Sequence, residues 1–181
     1  MTQRVIFVAM LMSCVALAMP PLVRPQPWLI WNASASAPIG LYLVRAPEPL
    51  HLGDLVAVTP PDGLVAFLDA RGYLPRGVPL IKHVVALPGA TVCRQGVAIT
   101  VDGLPVGEAR VHDRKGRDLP VWQGCRVLGP GEVFLMNSDV PDSLDGRYFG
   151  PLPRTAITAR LRPVWREDGP QEAIERGAAM R

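Results

Sequence analysis

The chain has 181 residues, enough for one domain of ordinary size. Its formal net charge is only +3 and no basic run occurs, so the composition gives no support for nucleic-acid binding. Charged residues make up 19% of the chain, too few for a disordered protein. The 17 glycines and 20 prolines indicate many turns and short elements rather than a helical bundle.

The amino-terminal segment, residues 1–24, is predicted to direct export. An apolar run from Val5 to Ala18 follows Arg4 and extends to Val23 if the intervening prolines are included. The shorter extent is typical of a secretory signal, and the longer one is enough to span a bilayer. Ala16-Leu17-Ala18 has the small-residue pattern of a cleavage site. The segment is therefore a signal peptide or a signal anchor, and the chain beyond it is expected to be exported.

Residues 25–165 are predicted to form one mostly β domain built on an antiparallel sheet or barrel. Short apolar runs predict strands at 41–44, 55–59, 80–87, 91–94, 97–101, 132–136 and 156–165. A short helix is predicted over 64–74, and Asp102-Gly103 is a hairpin signal. The polar stretch 110–119 is expected to be a surface excursion, and the charged tail 166–181 has no core pattern.

Lysine is rare in this chain, which makes the position of Lys82 informative. Only Lys82 and Lys115 are lysines among the 19 basic residues, and Lys82 lies in the middle of the most apolar predicted strand. A buried lysine can lose its proton whereas arginine cannot, and desolvation lowers a lysine pKa by up to about 3–5 units. Lys82 would then be a general base near neutral pH. A strand-edge lysine whose amine reaches water fits the spacing equally well.

The three cysteines lie at positions 14, 93 and 125. Cys14 falls in the apolar run, so Cys93 and Cys125 are the candidates for a disulfide in an oxidising compartment. A zinc site that used both of them with His112 would lack a C-x-x-C spacing and a fourth ligand. No metal site is therefore predicted.

Four of the five serines fall in two clusters, Ser34/Ser36 and Ser138/Ser143. The first cluster leads into Ser-Ala-Pro-Ile-Gly-Leu-Tyr at 36–42, and the second lies in Asn-Ser-Asp-Val-Pro-Asp-Ser-Leu-Asp-Gly-Arg-Tyr-Phe-Gly at 137–150. Between them comes Pro-Leu-Ile-Lys-His-Val-Val-Ala-Leu-Pro-Gly at 79–89. In this order the three motifs, within residues 32–163, resemble the type I signal peptidase family, whose members use a Ser–Lys dyad.

The resemblance implies a role for each matching residue. Ser36 corresponds to the nucleophile and Lys82 to the general base. The Ser36 amide and the Ser34 hydroxyl correspond to the oxyanion hole. Ser143 corresponds to the serine that orients the lysine. The carboxylate and guanidinium that follow it, Asp145 and Arg147, correspond to a pair that braces the site.

Two departures narrow the resemblance. Residue 37 is Ala where leader peptidases have Met, and Asn137-Ser138-Asp139 replaces their Gly-Asp-Asn. Together with the short chain and its single apolar segment, these features are similar to the conjugative transfer peptidases of the TraF type. That branch matures the pilin of type IV secretion systems, in some members by head-to-tail cyclisation.

The implied protein is a membrane-associated serine endopeptidase at the periplasmic face of the bacterial inner membrane, or in the periplasm if residues 1–18 are removed. Its partner is a pre-pilin or another signal-bearing precursor, and it needs neither cofactor nor metal. A general signal peptidase is the nearest alternative. A non-catalytic β module stapled by a disulfide, and a Ser–His–Asp hydrolase using His83, are the others. The product, linear or cyclic, is left open.

Overall fold

The structure is a computed structural model that describes residues 2–23 and 27–167. Helix α1 (Thr2–Val23) carries exposed apolar side chains, among them Val5, Phe7 and Leu11. Within the described part of the chain, no helix combines the length and the apolar character needed to cross a membrane. The assignment of residues 1–24 as a signal peptide or anchor stays a prediction, and most of the predicted tail, from 168 onward, lies outside the described residues.

The larger sheet has seven strands, numbered here in chain order. They are β1 (Leu29–Asn32), β2 (Gly40–Arg45), β3 (Leu55–Val58), β4 (Leu80–Ala86), β9 (Glu132–Met136), β10 (Leu152–Pro153) and β11 (Ile157–Arg166). Their spatial order is β1-β2-β11-β3-β4-β9-β10, and every neighbouring pair is antiparallel. This order places the strand that carries Lys82 between β3 and β9, in the interior of the sheet.

The smaller sheet has four strands. They are β5 (Thr91–Gln95), β6 (Ala98–Val101), β7 (Leu104–Glu108) and β8 (Gly124–Val127), in the order β7-β6-β5-β8. The hairpin between β6 and β7 turns at Asp102-Gly103, where both φ angles are positive, as a two-residue hairpin turn requires. Cys93 on β5 lies opposite Cys125 on β8, and a disulfide joins them.

Three helical segments complete the fold: α2 (Asp62–Ala70), α3 (Gly146–Phe149) and a 3₁₀ turn (Arg154–Ala156). Leu68 of α2 packs against Val58 and Leu135 on one face of the larger sheet. Phe134 and Met136 of β9 pack instead with the smaller sheet. Because successive residues of a strand point to opposite faces, β9 contributes to both cores and holds the two sheets together.

The predicted mostly β, antiparallel class with an N-terminal helix is confirmed, and each predicted strand coincides with an observed one to within two residues. The predicted helix over 64–74 was placed too late: it begins at Asp62 and ends at Ala70, before Gly72 adopts a positive φ. Strands β1, β7 and β8 were missed. They lie at or near sheet edges and are largely exposed, so they lack the apolar alternation that marks a half-buried strand.

Candidate active site

Ser36 is half-buried in the turn between β1 and β2. The turn is organised by Asn32, whose buried side chain donates from Nδ2 to the carbonyls of Ser34, Ala37 and Pro38, at 3.0 Å each. Its Oδ1 accepts the Ser34 N–H at 3.0 Å. A single buried amide thus satisfies four backbone groups and fixes the direction in which Ser36 is presented.

The two hydroxyls of this turn contact each other. Ser34 Oγ and Ser36 Oγ are 3.1 Å apart, and Ser34 Oγ also donates to Asn32 Oδ1 at 3.0 Å. A serine hydroxyl has one proton to donate. Because Ser34 uses its proton toward Asn32, Ser36 is the donor in the bond between the serines.

Lys82 is buried, with 2% of its surface exposed, and lies opposite Val56 in the pairing of β4 with β3. Its Nζ donates to Ser143 Oγ at 2.8 Å. Desolvation lowers the pKa of Lys82 from 10.5 to about 8, although the negative charge of Asp145 acts in the opposite direction. A substantial fraction of Lys82 is therefore neutral at mildly alkaline pH, as proton abstraction requires.

Asp145 and Arg147 form a buried ion pair beneath the loop that carries Ser143. Arg147 donates to the Asp145 carboxylate from Nε at 2.9 Å and from Nη2 at 2.8 Å. The same guanidinium reaches the carbonyls of Val140 at 2.7 Å and Ser143 at 3.2 Å, while Asp145 accepts the Asn137 N–H at 3.1 Å. Because the pair bonds the backbone on both sides of the loop, it holds Ser143 in register with Lys82.

The end of this loop is seated between the two sheets. A side chain at Gly146 would place its Cβ 2.6 Å from the ring of Phe134 and 2.8 Å from the carbonyl oxygen of Leu135, so only glycine fits against β9. Arg94, on the smaller sheet, donates to the carbonyl of Arg147 at 2.5 Å. Both sheets therefore contribute to the position of the loop.

Asn137 connects the Ser36 turn to the Lys82 strand. Its Nδ2 donates to the carbonyl of Ser36 and, at 3.0 Å, to the carbonyl of Ile81. Its Oδ1 accepts the His83 N–H at 3.1 Å. The two bonds to β4 flank Lys82 on either side, and the side chain of Asn137 is itself buried. One amide thus fixes the Ser36 backbone against the strand segment centred on Lys82.

Asn32 and Asn137 are the site residues that the sequence analysis missed. The sequence did carry a signal for Asn137, since it stands where the resembled family has Gly. The signal for Asn32 is weaker: an asparagine just before a turn commonly bonds the following backbone. The structure brings Ser34, Ser36, Lys82, Ser143, Asp145 and Arg147 into one connected region. Cys93 and Cys125 lie apart from it, on the smaller sheet.

Comparison with known proteins gives consistent matches. The family model described as signal peptidase, peptidase S26, matches residues 1–165. The chain is 40% identical over 149 residues to the conjugal transfer protein TraF of Agrobacterium fabrum, covering 76% of this chain and 82% of that protein. It is 38% identical over 144 residues to a plasmid transfer protein TraF of Escherichia coli, covering 74% and 80%.

Two further matches carry the signal peptidase name. A probable signal peptidase I-1 of Synechocystis is 31% identical over 110 residues, covering 61% of this chain and 52% of that one. The crystal structure of a signal peptidase I from Enterococcus faecalis has a TM-score of 0.38 and 18% sequence identity, covering 64% of this chain and 98% of the other.

Proposed function

This chain belongs to the signal peptidase family, peptidase S26, and we propose that Ser36 and Lys82 are the catalytic dyad of its peptidase activity. One observation carries the proposal. Lys82 is buried, its amine is oriented by Ser143, and its strand segment is bonded through Asn137 to the backbone of Ser36. No structural need explains a buried lysine with a depressed pKa, whereas a general base needs both properties.

In the proposed reaction, neutral Lys82 accepts the Ser36 hydroxyl proton as Oγ attacks the scissile carbonyl carbon. The tetrahedral intermediate collapses, the C–N bond breaks, and the Lys82 ammonium returns the proton to the leaving amine. The resulting ester on Ser36 is attacked by water, which gives a linear product, or by an amine of the substrate, which gives a ring. The proton released in that second attack again passes to Lys82 and then to the departing Ser36 oxygen.

The oxyanion of the intermediate is proposed to accept hydrogen bonds from the Ser36 amide and the Ser34 hydroxyl. In the substrate-free arrangement the Ser34 proton is directed to Asn32, and the Ser36 proton is directed to Ser34. Both hydroxyls therefore rotate when substrate binds. Rotation of exposed or half-buried hydroxyls is fast compared with peptide hydrolysis, so this step does not limit the rate.

The proposed substrate is the pilin precursor of a conjugative type IV secretion system. Support comes from the relatives that are named conjugal and plasmid transfer proteins, each similar over about three quarters of this chain. Small residues at the cleavage site are expected, as in the family. The exposed apolar side chains of α1 support membrane association, with the site at the periplasmic face of the inner membrane.

A general signal peptidase that cuts many secretory precursors is the second candidate, supported by the similarity to the protein named probable signal peptidase I-1. The Ser–His–Asp alternative is weaker. The His83 ring nitrogen lies 3.0 Å from Asn137 Oδ1, and no carboxylate contacts that ring within residues 27–167.

The test is processing of the pilin precursor in cells that carry wild-type protein, Ser36→Ala or Lys82→Ala, read by intact mass. The two variants should accumulate precursor, whereas the matched control Ser138→Ala, at an exposed position of the same segment, should process normally. A wild-type product lighter than the linear pilin by one water identifies ring closure. Normal processing by both dyad variants would refute the proposal, and cleavage of unrelated secretory precursors would favour the general signal peptidase.

A further inference from the structure

The predicted surface excursion, residues 110–119, does not simply project into solvent. Together with the end of α2 it encloses a cavity of about 360 Å³ that opens beside Ser36, here named the Ser36 cavity. Five cationic side chains line this cavity: Arg71, Arg110, Arg114, Lys115 and Arg117. The dyad reaction uses none of these charges, so their concentration beside the nucleophile needs a separate explanation.

The cavity lining includes only two carboxylates, and both are already engaged. Asp113 accepts the Tyr73 hydroxyl at 2.5 Å, and Asp142 pairs with Arg110 at 2.6 Å and with Arg114. The Tyr73 hydroxyl holds the pKa of Asp113 below its usual range, and Arg114 does the same for Asp142. With both carboxylates ionised and His112 counted as uncharged, five cations against two anions leave an excess of three positive charges.

Two of the five cations have no carboxylate partner in the described part of the chain. Arg71 donates to the main-chain carbonyl of Asp118 at 2.6 Å and stacks on Phe67, with no ion pair. The Lys115 side chain is exposed and makes no hydrogen bond or ion pair within residues 27–167. A partly enclosed site lined by uncompensated charge of one sign attracts a ligand of the opposite sign.

We propose that the Ser36 cavity binds a carboxylate of the substrate close to the scissile bond, through Lys115 and Arg71. The inference rests on the proposed function, since it assumes that a peptide is cut at Ser36. The carboxylate has two sources in a peptide: an Asp or Glu side chain, or the terminal carboxylate of a short leaving segment. Either would set where the enzyme cuts, because the charge would fix the register of the peptide relative to Ser36.

The first experiment measures binding and needs no turnover. Short peptides with an Ala-Gln-Ala segment before the scissile bond carry one Glu, placed in turn at each neighbouring position, and are compared with the all-Gln peptide. A second pair ends shortly after the bond in a free carboxylate or in an amide. Each peptide is titrated by calorimetry into the full-chain Ser36→Ala protein in detergent, at low and high ionic strength.

One Glu position, or the free terminus, should bind roughly tenfold more tightly than its neutral counterpart at low salt. The preference should weaken at high salt because screening reduces the attraction. Introducing Lys115→Gln should remove much of the preference. Arg76→Gln, which removes the same charge close to Arg71 but outside the cavity lining, should keep it.

The two proposals fail differently. Equal affinity for every acidic peptide and its neutral counterpart would overturn the carboxylate site, whether or not cleavage occurs. A preference that survives in the Lys115→Gln and Arg71→Gln variants would overturn the assignment to this cavity. Cleavage of the peptides by the Ser36→Ala protein would instead refute the proposed nucleophile and leave the binding result standing.

Discussion

The side-chain amide of Asn137 donates to the main-chain carbonyl of Ser36, although 101 positions separate the two residues in the chain. The same nitrogen also bonds Ile81, the residue before Lys82. The proposed nucleophile and base are thus positioned by a third side chain, which touches neither reacting atom. Asn137 is a positioning residue in this scheme, and its contribution can be separated from that of the dyad.

Asn137→Ala is expected to lower kcat by about 10- to 100-fold with little change in KM, because the Ser36 turn loses its connection to β4 and the attack geometry loosens. The midpoint of the pH–rate profile should stay in place, since no charge near Lys82 changes. Asn137→Asp is the informative comparison. It should move the midpoint upward, because a nearby carboxylate favours the charged lysine. Wild-type kcat in both variants would contradict the positioning role.

The dependence of kcat/KM on pH should report the Lys82 pKa. Activity is expected to rise as pH increases through about 8, because only the neutral amine accepts the Ser36 proton. Lys82→Arg should lower activity by at least about 10³-fold at every pH, since the guanidinium keeps its charge. The measurement is peptide cleavage from pH 6 to about 10. A rate that is flat across this range would argue against lysine as the base.

Burial of Lys82 should cost stability, and the sign follows from its pKa. The folded-state pKa is about 8 and the ordinary value is 10.5, so between these values the unfolded chain binds more protons than the folded chain. The free energy of unfolding should therefore rise as pH increases from 8 to 10.5, and the full cost of burying the ammonium applies below pH 8. Lys82→Met should raise the free energy of unfolding at pH 7 by about 2–3 kcal/mol while abolishing activity.

Urea unfolding of the full chain in detergent would measure this effect. Lys115→Met is the matched control, because Lys115 is exposed and its replacement should change stability by less than about 0.5 kcal/mol. The stability gain of Lys82→Met over wild type should shrink at alkaline pH. A gain independent of pH would point to packing rather than to charge.

The Cys93–Cys125 disulfide is predicted to support folding and not the reaction. Cys93→Ser combined with Cys125→Ser should lower the free energy of unfolding by about 3–4 kcal/mol, the value expected for cross-linking a loop of this length. The activity per folded molecule should change little, since the bridge lies on the smaller sheet. Mass spectrometry of unreduced peptides from exported protein tests the bridge itself, and two free thiols would refute it.

The sequence predicted the parts of the site that depend on local pattern. The apolar alternation of β4 predicted the strand around Lys82, and the rarity of lysine and serine drew attention to the residues that the structure brings together. Asn32 and Asn137 were missed because their contacts join segments far apart in the chain or lie within one irregular turn, and neither has a period. The polar stretch 110–119 was correctly predicted to be irregular, but its position beside Ser36 depends on tertiary structure alone.

The seating of the Ser143 loop has a consequence for the timing of activity. Arg147 has to be buried before Ser143 can orient Lys82, and its carbonyl is bonded by Arg94 from the smaller sheet. A chain in which only one sheet has formed therefore lacks an oriented base. We expect such a folding intermediate to be proteolytically silent, so the enzyme would be protected from digesting neighbouring unfolded chains, and itself, until both sheets have docked.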